Sequence, residues 1–214
     1  MTQRLRLNKN AERRLKAGHL WIYSNEVDVK ETPLKHFAGG ETAIVEESNG
    51  RALGVAYVNP HSLICARIMS RDPSMRLDRS LFIHRFNQAL ALRERIFSKP
   101  FYRLVHGEGD LLPGLVVDRF GDILVVQLNT AGMQGMSEDI VDALEKVLKP
   151  SAIVFRNDTG GRRQEGLEAQ VEVVKGELPD EVLIEENGVH FVVPVLNGQK
   201  TGWFFDHRAN REWL

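Results

Sequence analysis

Cysteine and long apolar runs are both nearly absent from this chain. Cys65 is the single cysteine, so no disulfide framework can form within the chain, and a reducing cytoplasm is the expected setting. No apolar run approaches the roughly 18–20 residues that a membrane-spanning helix needs. Arg4 and Arg6 lie near the start, but no apolar stretch follows them as in a secretory signal. We therefore expect a cytoplasmic protein without a membrane partner.

The common signatures of metal sites, nucleotide sites and hydrolases are missing as well. The seven histidines are scattered, and neither Cys-x-x-Cys nor His-Glu-x-x-His occurs, so we predict no metal site. The sequence has no P-loop and no Gly-x-Ser-x-Gly elbow. Cys65 lies within an apolar strand pattern, which favours a buried structural thiol over a nucleophile.

The composition that remains is that of a folded protein with an uneven charge distribution. Of the 214 residues, 43% are hydrophobic and 27% charged, which indicates one large or two small globular domains. Residues 1–99 carry 17 Lys and Arg against 10 Asp and Glu, whereas residues 100–214 carry 11 against 19. A basic half is typical of proteins that bind a polyanion, most often nucleic acid. The alternative is an ordinary fluctuation of charge along the chain.

The first part of the chain, residues 1–72, is predicted to be a small, mostly β, barrel-like unit with one helix. The helix is expected over 9–17, with Asn8 as its N-cap. Asn49 and Gly50 give a strong hairpin signal between two strands. The predicted strands are 3–7, 20–23, 42–46, 52–58 and 63–69.

Residues 73–196 are predicted to form a second, α+β unit after a break at Arg71-Asp72-Pro73. Apolar periodicity predicts a long helix over 77–97 and a second helix over 137–148, with Ser137 as N-cap. The predicted strands are 102–106, 115–118, 123–128, 152–156, 171–174, 182–185 and 190–193. The last segment, 197–214, holds three consecutive aromatic residues and a short helix that Asp206 can cap.

An acidic, turn-rich segment at 108–122 allows two interpretations. Glu108, Asp110 and Asp118 could act as paired carboxylates in acid–base chemistry, which would make the chain a small enzyme. The segment could equally be a structured turn in which Asp118 pairs with Arg119 or caps a neighbouring element.

The predicted first helix has a positive face formed by Lys9, Arg13, Arg14 and Lys16. Trp21, with Tyr23, follows directly, and such a combination can bind phosphates and stack on bases. The alternative is a solvated helix face followed by two core aromatic residues.

Four segments together resemble the PUA-containing rRNA cytosine-C5 methyltransferases of the bacterial large subunit. Residues 5–24 and 53–62 are similar to parts of that family's PUA domain. Residues 108–119 are similar to its middle-domain signature, and residues 198–211 to the segment that leads into its methyltransferase domain. The segments occur in the family's order and cover nearly the whole chain, so they are specific in combination.

The resemblance implies a PUA domain over 1–72, an α+β middle domain over 73–196, and the start of a Rossmann-like methyltransferase domain over 197–214. The rest of that domain, with the nucleophilic cysteine and most of the S-adenosylmethionine site, is expected beyond Leu214. No catalytic residue is therefore expected in this chain.

The implied function is the RNA-binding and scaffold portion of an enzyme that methylates C5 of a cytosine in 23S rRNA. The alternative is a stand-alone PUA-type RNA-binding protein, and a homodimer stays open. Candidate RNA-binding residues are Lys9, Arg13, Arg14, Lys16, Trp21, Tyr57, His61 and Arg67. Residues expected to border the cofactor and substrate pocket are Lys200, Thr201, Gly202, Phe204, Asp206, Arg208 and Arg211.

Overall fold

The computed structural model describes residues 2–213, and its strands form two five-stranded sheets and one hairpin. The first sheet has the order β1-β3-β4-β5-β2. β1 runs parallel to β3, and the other neighbours are antiparallel. The elements of this unit are β1 Gln3–Arg6, α1 Glu12–Lys16, β2 Trp21–Ile22, β3 Glu41–Glu46, β4 Ala52–Val58 and β5 Ala66–Ser70.

The two ends of the first sheet come together. Leu7, just after β1, forms an antiparallel bridge with Val27, just after β2. The amide of Asp28 donates to the carbonyl of Arg6 at 2.9 Å. The chain that follows β2 therefore covers the free edge of β1, which agrees with the predicted barrel-like unit and removes an exposed sheet edge.

Two predicted boundaries in this unit were wrong. α1 begins at Glu12 because Asn10 has a φ of 72°, which interrupts helical backbone. Asn8 is not the N-cap of α1, because the side-chain amide of Asn8 donates to the carbonyls of Asn25 and Val27. β5, predicted over 63–69, begins at Ala66, and Leu63 lies in a loop with 71% of its surface exposed.

The second unit is a sheet of order β10-β9-β8-β7-β6. Its pairs are antiparallel except β8 with β9, where two helices form the crossover that parallel strands require. Its strands are β6 Phe101–His106, β7 Leu115–Phe120, β8 Ile123–Leu128, β9 Ala152–Asn157 and β10 Gln170–Gly176. Its helices are α2 Arg79–Glu94, α3 Ala131–Gly135 and α4 Ser137–Leu148.

Each face of the second sheet is covered by a different layer. One face packs against α2 and α4 through side chains such as Phe86 and Leu144. The other face packs against the hairpin of β11 Val182–Glu186 and β12 Val189–Val193, and against Phe205 just before α5 Arg208–Trp213. The predicted α+β class is thus observed as helices, sheet and hairpin in three layers.

The start of α4 differs from the prediction. The sequence pattern did not indicate the short helix α3. Only Met136 separates it from α4. Thr130 caps α3, whereas Ser137 makes no side-chain cap to α4. Across residues 2–213, no helix has the length and apolar character needed to cross a bilayer.

Candidate nucleic-acid interface

The positive face of α1 is smaller than its sequence suggests. Arg14 pairs with Glu26 at 2.9 Å, and Lys16 pairs with Glu47 at 2.9 Å. Lys9 and Arg13 are exposed and have no ion-pair partner within the described part of the chain. Because unpaired surface cations are the groups that can exchange counterions for phosphates, Arg13 on α1 and Lys9 just before the helix carry the free positive charge of this surface.

Arg14 connects α1 to the aromatic residues that follow it. Its guanidinium carbon lies 5.1 Å from the centroid of the Tyr23 ring, a cation–π contact. Tyr23 in turn lines a cleft of about 760 Å³ between the two units. The basic helix therefore borders this cleft, although Arg14 itself is held in internal contacts.

The interdomain cleft has three walls. The first unit contributes Trp21, Tyr23 and the 61–64 loop. The second contributes the turn after β6 and the start of β7, and the loop at 161–165 closes a third side. Trp21, 37% exposed, donates from Nε1 to the carboxylate of Glu108 across the cleft at 2.7 Å.

The side of the cleft near β5 is held by a buried ion pair between the two units. Arg67 and Glu165, both nearly inaccessible, lie 2.8 Å apart. Asn59 also donates to the Glu165 carboxylate at 2.8 Å, and the amide of Ala131 donates at 3.3 Å. Burial raises the pKa of Glu165, but Arg67 and these hydrogen bonds outweigh it and hold that pKa below its usual value.

Tyr57 does not lie on a surface that RNA could reach, which corrects its prediction as an RNA contact. Its side chain is fully buried, and burial strongly raises its pKa. The hydroxyl donates to the carbonyl of Pro113 at 2.8 Å and accepts from Thr130 at 3.0 Å. The apolar ring of Tyr57 packs in the core of the second unit. Tyr57 therefore joins the two units.

The other candidates occupy the surface to different degrees. His61 is exposed and lines the cleft beside Trp21. Arg67 also lines the cleft, but its charge is neutralised by Glu165. Sequence reasoning missed Glu165 and Asn59, because a carboxylate in a Gly-rich loop and an asparagine before proline are both typical of exposed turns.

The three candidate carboxylates of the acidic segment all accept hydrogen bonds from side chains of the fold. Asp110 accepts a bidentate pair from Arg93 at 2.5 and 2.7 Å. Asp118 is fully buried and accepts from Arg103 at 2.8 and 2.9 Å, so its partner is not Arg119. Glu108 accepts from Trp21 through one carboxylate oxygen and lines the cleft, so the three groups are not paired with one another for acid–base chemistry.

The predicted pocket-border residues are mostly held in contacts inside the fold. Thr201 is fully buried and donates to Asp118 at 2.5 Å, which corrects its placement at a pocket. Arg211 and Arg208 both donate to the buried carboxylate of Glu186, at 2.5 and 3.2 Å. Burial alone would raise the pKa of Glu186. The hydrogen bonds that its carboxylate accepts outweigh burial and hold that pKa below its usual value.

The remaining border residues make local contacts or face solvent. The ammonium of Lys200 lies 4.4 Å from the centroid of the Phe204 ring, Gly202 has a φ of 104° in a turn, and Asp206 is exposed. Within residues 2–213, this segment therefore offers no polar cradle for a cofactor.

Neither a metal centre nor a reactive thiol is present in the described residues. No group of three or more His, Cys, Asp or Glu side chains is placed to hold an ion between residues 2 and 213. Burial raises the pKa of the Cys65 thiol to about 12, so it stays protonated and is a packing residue, as predicted.

Comparison with known proteins identifies the first unit and finds relatives of the whole chain. Residues 5–71 match the family model of a PUA-like domain. Over 99% of its length, the chain is 37% identical to Ribosomal RNA large subunit methyltransferase I of Aliivibrio fischeri. It is 38% identical to the proteins of that name from Cronobacter sakazakii and Vibrio cholerae, again over 99% of its length. The chain spans about half of these relatives, 54%, 54% and 53% of their length respectively.

Two solved structures share the fold. A protein assigned as a SAM-dependent methyltransferase from Streptococcus mutans superposes with a TM-score of 0.79 at 22% identity, covering 99% of this chain and 54% of its own. A protein assigned as a methyltransferase and complexed with SAH superposes with a TM-score of 0.81 at 23% identity, with 53% of its own chain covered. At these identities the likeness establishes the arrangement of both units.

Proposed function

We propose that this chain is the RNA-binding and scaffold portion of a methyltransferase of the Ribosomal RNA large subunit methyltransferase I family, of whose compared members it spans about half the length. The observation that carries the proposal is the 37% identity to a ribosomal RNA methyltransferase over 99% of the chain. The unpaired cations Lys9 and Arg13, and the aromatic cleft that α1 borders through Arg14, support a role in holding RNA.

The finer assignment is methylation of C5 of a cytosine in 23S rRNA, in the cytoplasm, with S-adenosylmethionine as cofactor. It is supported by the four sequence segments that resemble the cytosine-C5 methyltransferases, and the cofactor by the SAH complex of a structural neighbour. The described residues do not fit the cofactor, since Thr201, Arg208 and Arg211 are used within the fold. We assign no step of methyl transfer to them.

The residues of this chain act by position and charge. Lys9 and Arg13 attract the phosphate backbone, and such contacts fix the register of an RNA without reading its sequence. Arg14 and Lys16 are neutralised by their glutamates, so they stabilise α1 and Tyr23 instead of contributing net attraction. Glu186 holds the 203–211 segment against the hairpin by accepting from Trp203, Arg208 and Arg211.

Reversal of the two free charges tests the proposal. Lys9→Glu combined with Arg13→Glu should weaken binding of a fluorescent rRNA hairpin and reduce the slope of log affinity against log salt by about 1–2, because each lost phosphate contact removes roughly 0.7–0.9 of slope. Arg95→Glu with Lys146→Glu is the charge-matched control, since both are exposed and lie on the helical layer of the second unit. If the control pair weakened RNA binding as much as the Lys9 and Arg13 pair, the loss would come from net charge alone, and RNA would not be located at α1.

Two further measurements separate the scaffold role from its alternatives. We expect no transfer of a labelled methyl group from S-adenosylmethionine to rRNA by this chain alone, and transfer would contradict the scaffold role. A stand-alone RNA-binding protein predicts the same binding data, so the intact mass of the native protein decides. A native mass near 24.2 kDa would favour the stand-alone protein, and a larger mass the methyltransferase.

A further inference from the structure

Several hydrogen-bonding side chains in the interdomain cleft have no partner inside the protein. The side chains of His61, His106 and Gln164 are exposed, line the cleft and make no hydrogen bond within residues 2–213. Leu63, 71% exposed, and Trp21, 37% exposed, present apolar surface to the same space. A volume of about 760 Å³ lies within the usual size of a small-ligand site, and such sites combine apolar walls with a few polar groups.

The charges in the cleft indicate what cannot enter it. Arg67 is neutralised by Glu165, and the carboxylate of Glu108 faces the space next to Trp21. A phosphate group inside would therefore meet carboxylates and no unpaired cation among the residues that line the cleft. Of the unpaired cations, Arg13 lies on α1 and Lys9 just before it, and α1 borders the cleft through the contact of Arg14 with Tyr23.

This distribution of charge suits the phosphate and the base of a nucleotide to two different places. The phosphate would be attracted to α1, and a flat, uncharged heteroaromatic ring suits the cleft. Tryptophan and tyrosine rings stack on bases of any sequence. A glutamate carboxylate accepts a hydrogen bond from an exocyclic amino group such as that of cytosine.

We infer that the cleft between the two units takes one unpaired base of the bound RNA, stacked against Trp21, with Glu108 accepting from its exocyclic amino group. The inference rests on the proposed RNA-binding function and adds to it a preference for RNA with an unpaired nucleotide. Arg14 contacts the Tyr23 ring and also pairs with Glu26. Tyr23 therefore holds its place in the cleft without bound RNA.

The test compares a blunt RNA duplex with the same duplex carrying one bulged cytidine. The wild-type chain should bind the bulged duplex about tenfold more tightly, the effect expected from one base–aromatic stack. Trp21→Ala removes the stacking surface. Gly161→Leu fills the cleft, where an added Cβ meets open space and the backbone needs no positive φ. Both variants should lower affinity for the bulged duplex to that for the blunt one.

Gly160→Leu is the matched control for the filling variant. Gly160 is the preceding residue, its Cβ position is equally open, and it does not line the cleft. It should retain the tenfold preference. Equal wild-type affinity for the two duplexes, or a preference that survives both cleft variants, would overturn the cleft inference and leave RNA binding intact. No binding of either duplex would instead overturn the proposed function.

Discussion

Among single residues, Glu165 is the one on which the junction of the two units depends most. It accepts hydrogen bonds from Arg67 and Asn59 of the first unit and from the amide of Ala131 in the second. Glu165→Gln keeps the side-chain volume but leaves the Arg67 guanidinium buried without a counter-charge. Since loss of one partner of a buried pair is strongly destabilising, we expect the free energy of unfolding in urea to fall by about 3 kcal/mol.

The control for this change is Glu168→Gln, three residues further along the same loop. Glu168 is exposed and its carboxylate makes no ion pair in the described residues. A surface substitution of this kind should alter the free energy of unfolding by less than about 0.5 kcal/mol. If Glu165→Gln were as mild as Glu168→Gln, the junction would depend on apolar packing alone.

At the scale of elements, α3 packs so closely on the first unit that one of its glycines is required. A Cβ built on Gly132 would lie 2.2 Å from Cγ of the Tyr57 ring, whereas one on Gly135 meets nothing within 4 Å. Glycine to alanine in a helix normally stabilises by up to about 1 kcal/mol. We expect Gly135→Ala to follow that rule and Gly132→Ala to reverse it, with a loss of about 1–3 kcal/mol from overpacking.

Thermal or urea unfolding of the two alanine variants measures this difference. The pair is informative because both positions lie on one five-residue helix, so helix propensity contributes in the same direction to each. Comparable stabilisation by both substitutions would show that Tyr57 can shift away from α3 at little cost.

The elements with strong periodicity were predicted well, and those without it were not. The α4 range was predicted residue for residue, because Ile140, Ala143 and Leu144 repeat on one buried face. α3 was missed because Gly132 and Gly135 disfavour a helix, and only the contact with Tyr57 explains the glycine at position 132. Tertiary packing overrode local propensity there.

At the scale of the whole molecule, the sequence indicated two units but could not show how they are joined. Asn59 and Glu165 are 106 residues apart, and no periodicity links a turn asparagine to a loop glutamate. The basic helix was predicted three residues too early at its start, and which of the predicted charges stay free depended on Glu26 and Glu47. The cleft that these contacts create is a property of the assembled units.

This junction predicts that the two units unfold together. Tyr57 of the first unit is fully buried in the core cluster of the second, so the core of the second unit is completed by the first. With Trp203→Phe and Trp213→Phe, Trp21 fluorescence reports the first unit, while far-UV circular dichroism reports α2 and α4 of the second. The two signals should change at the same urea concentration, as expected for a single cooperative transition.

Removal of the shared side chain should uncouple the units. Tyr57→Ala in the same background leaves a cavity where the two cores meet, and we expect the Trp21 transition to move to lower urea than the helical one. Tyr23→Ala is the control, because this half-buried tyrosine of the same unit lies outside the shared core, and its two transitions should still coincide. Separate transitions before any change at Tyr57 would mean that the junction does not couple the units, and that the cleft between them has no fixed width for a base.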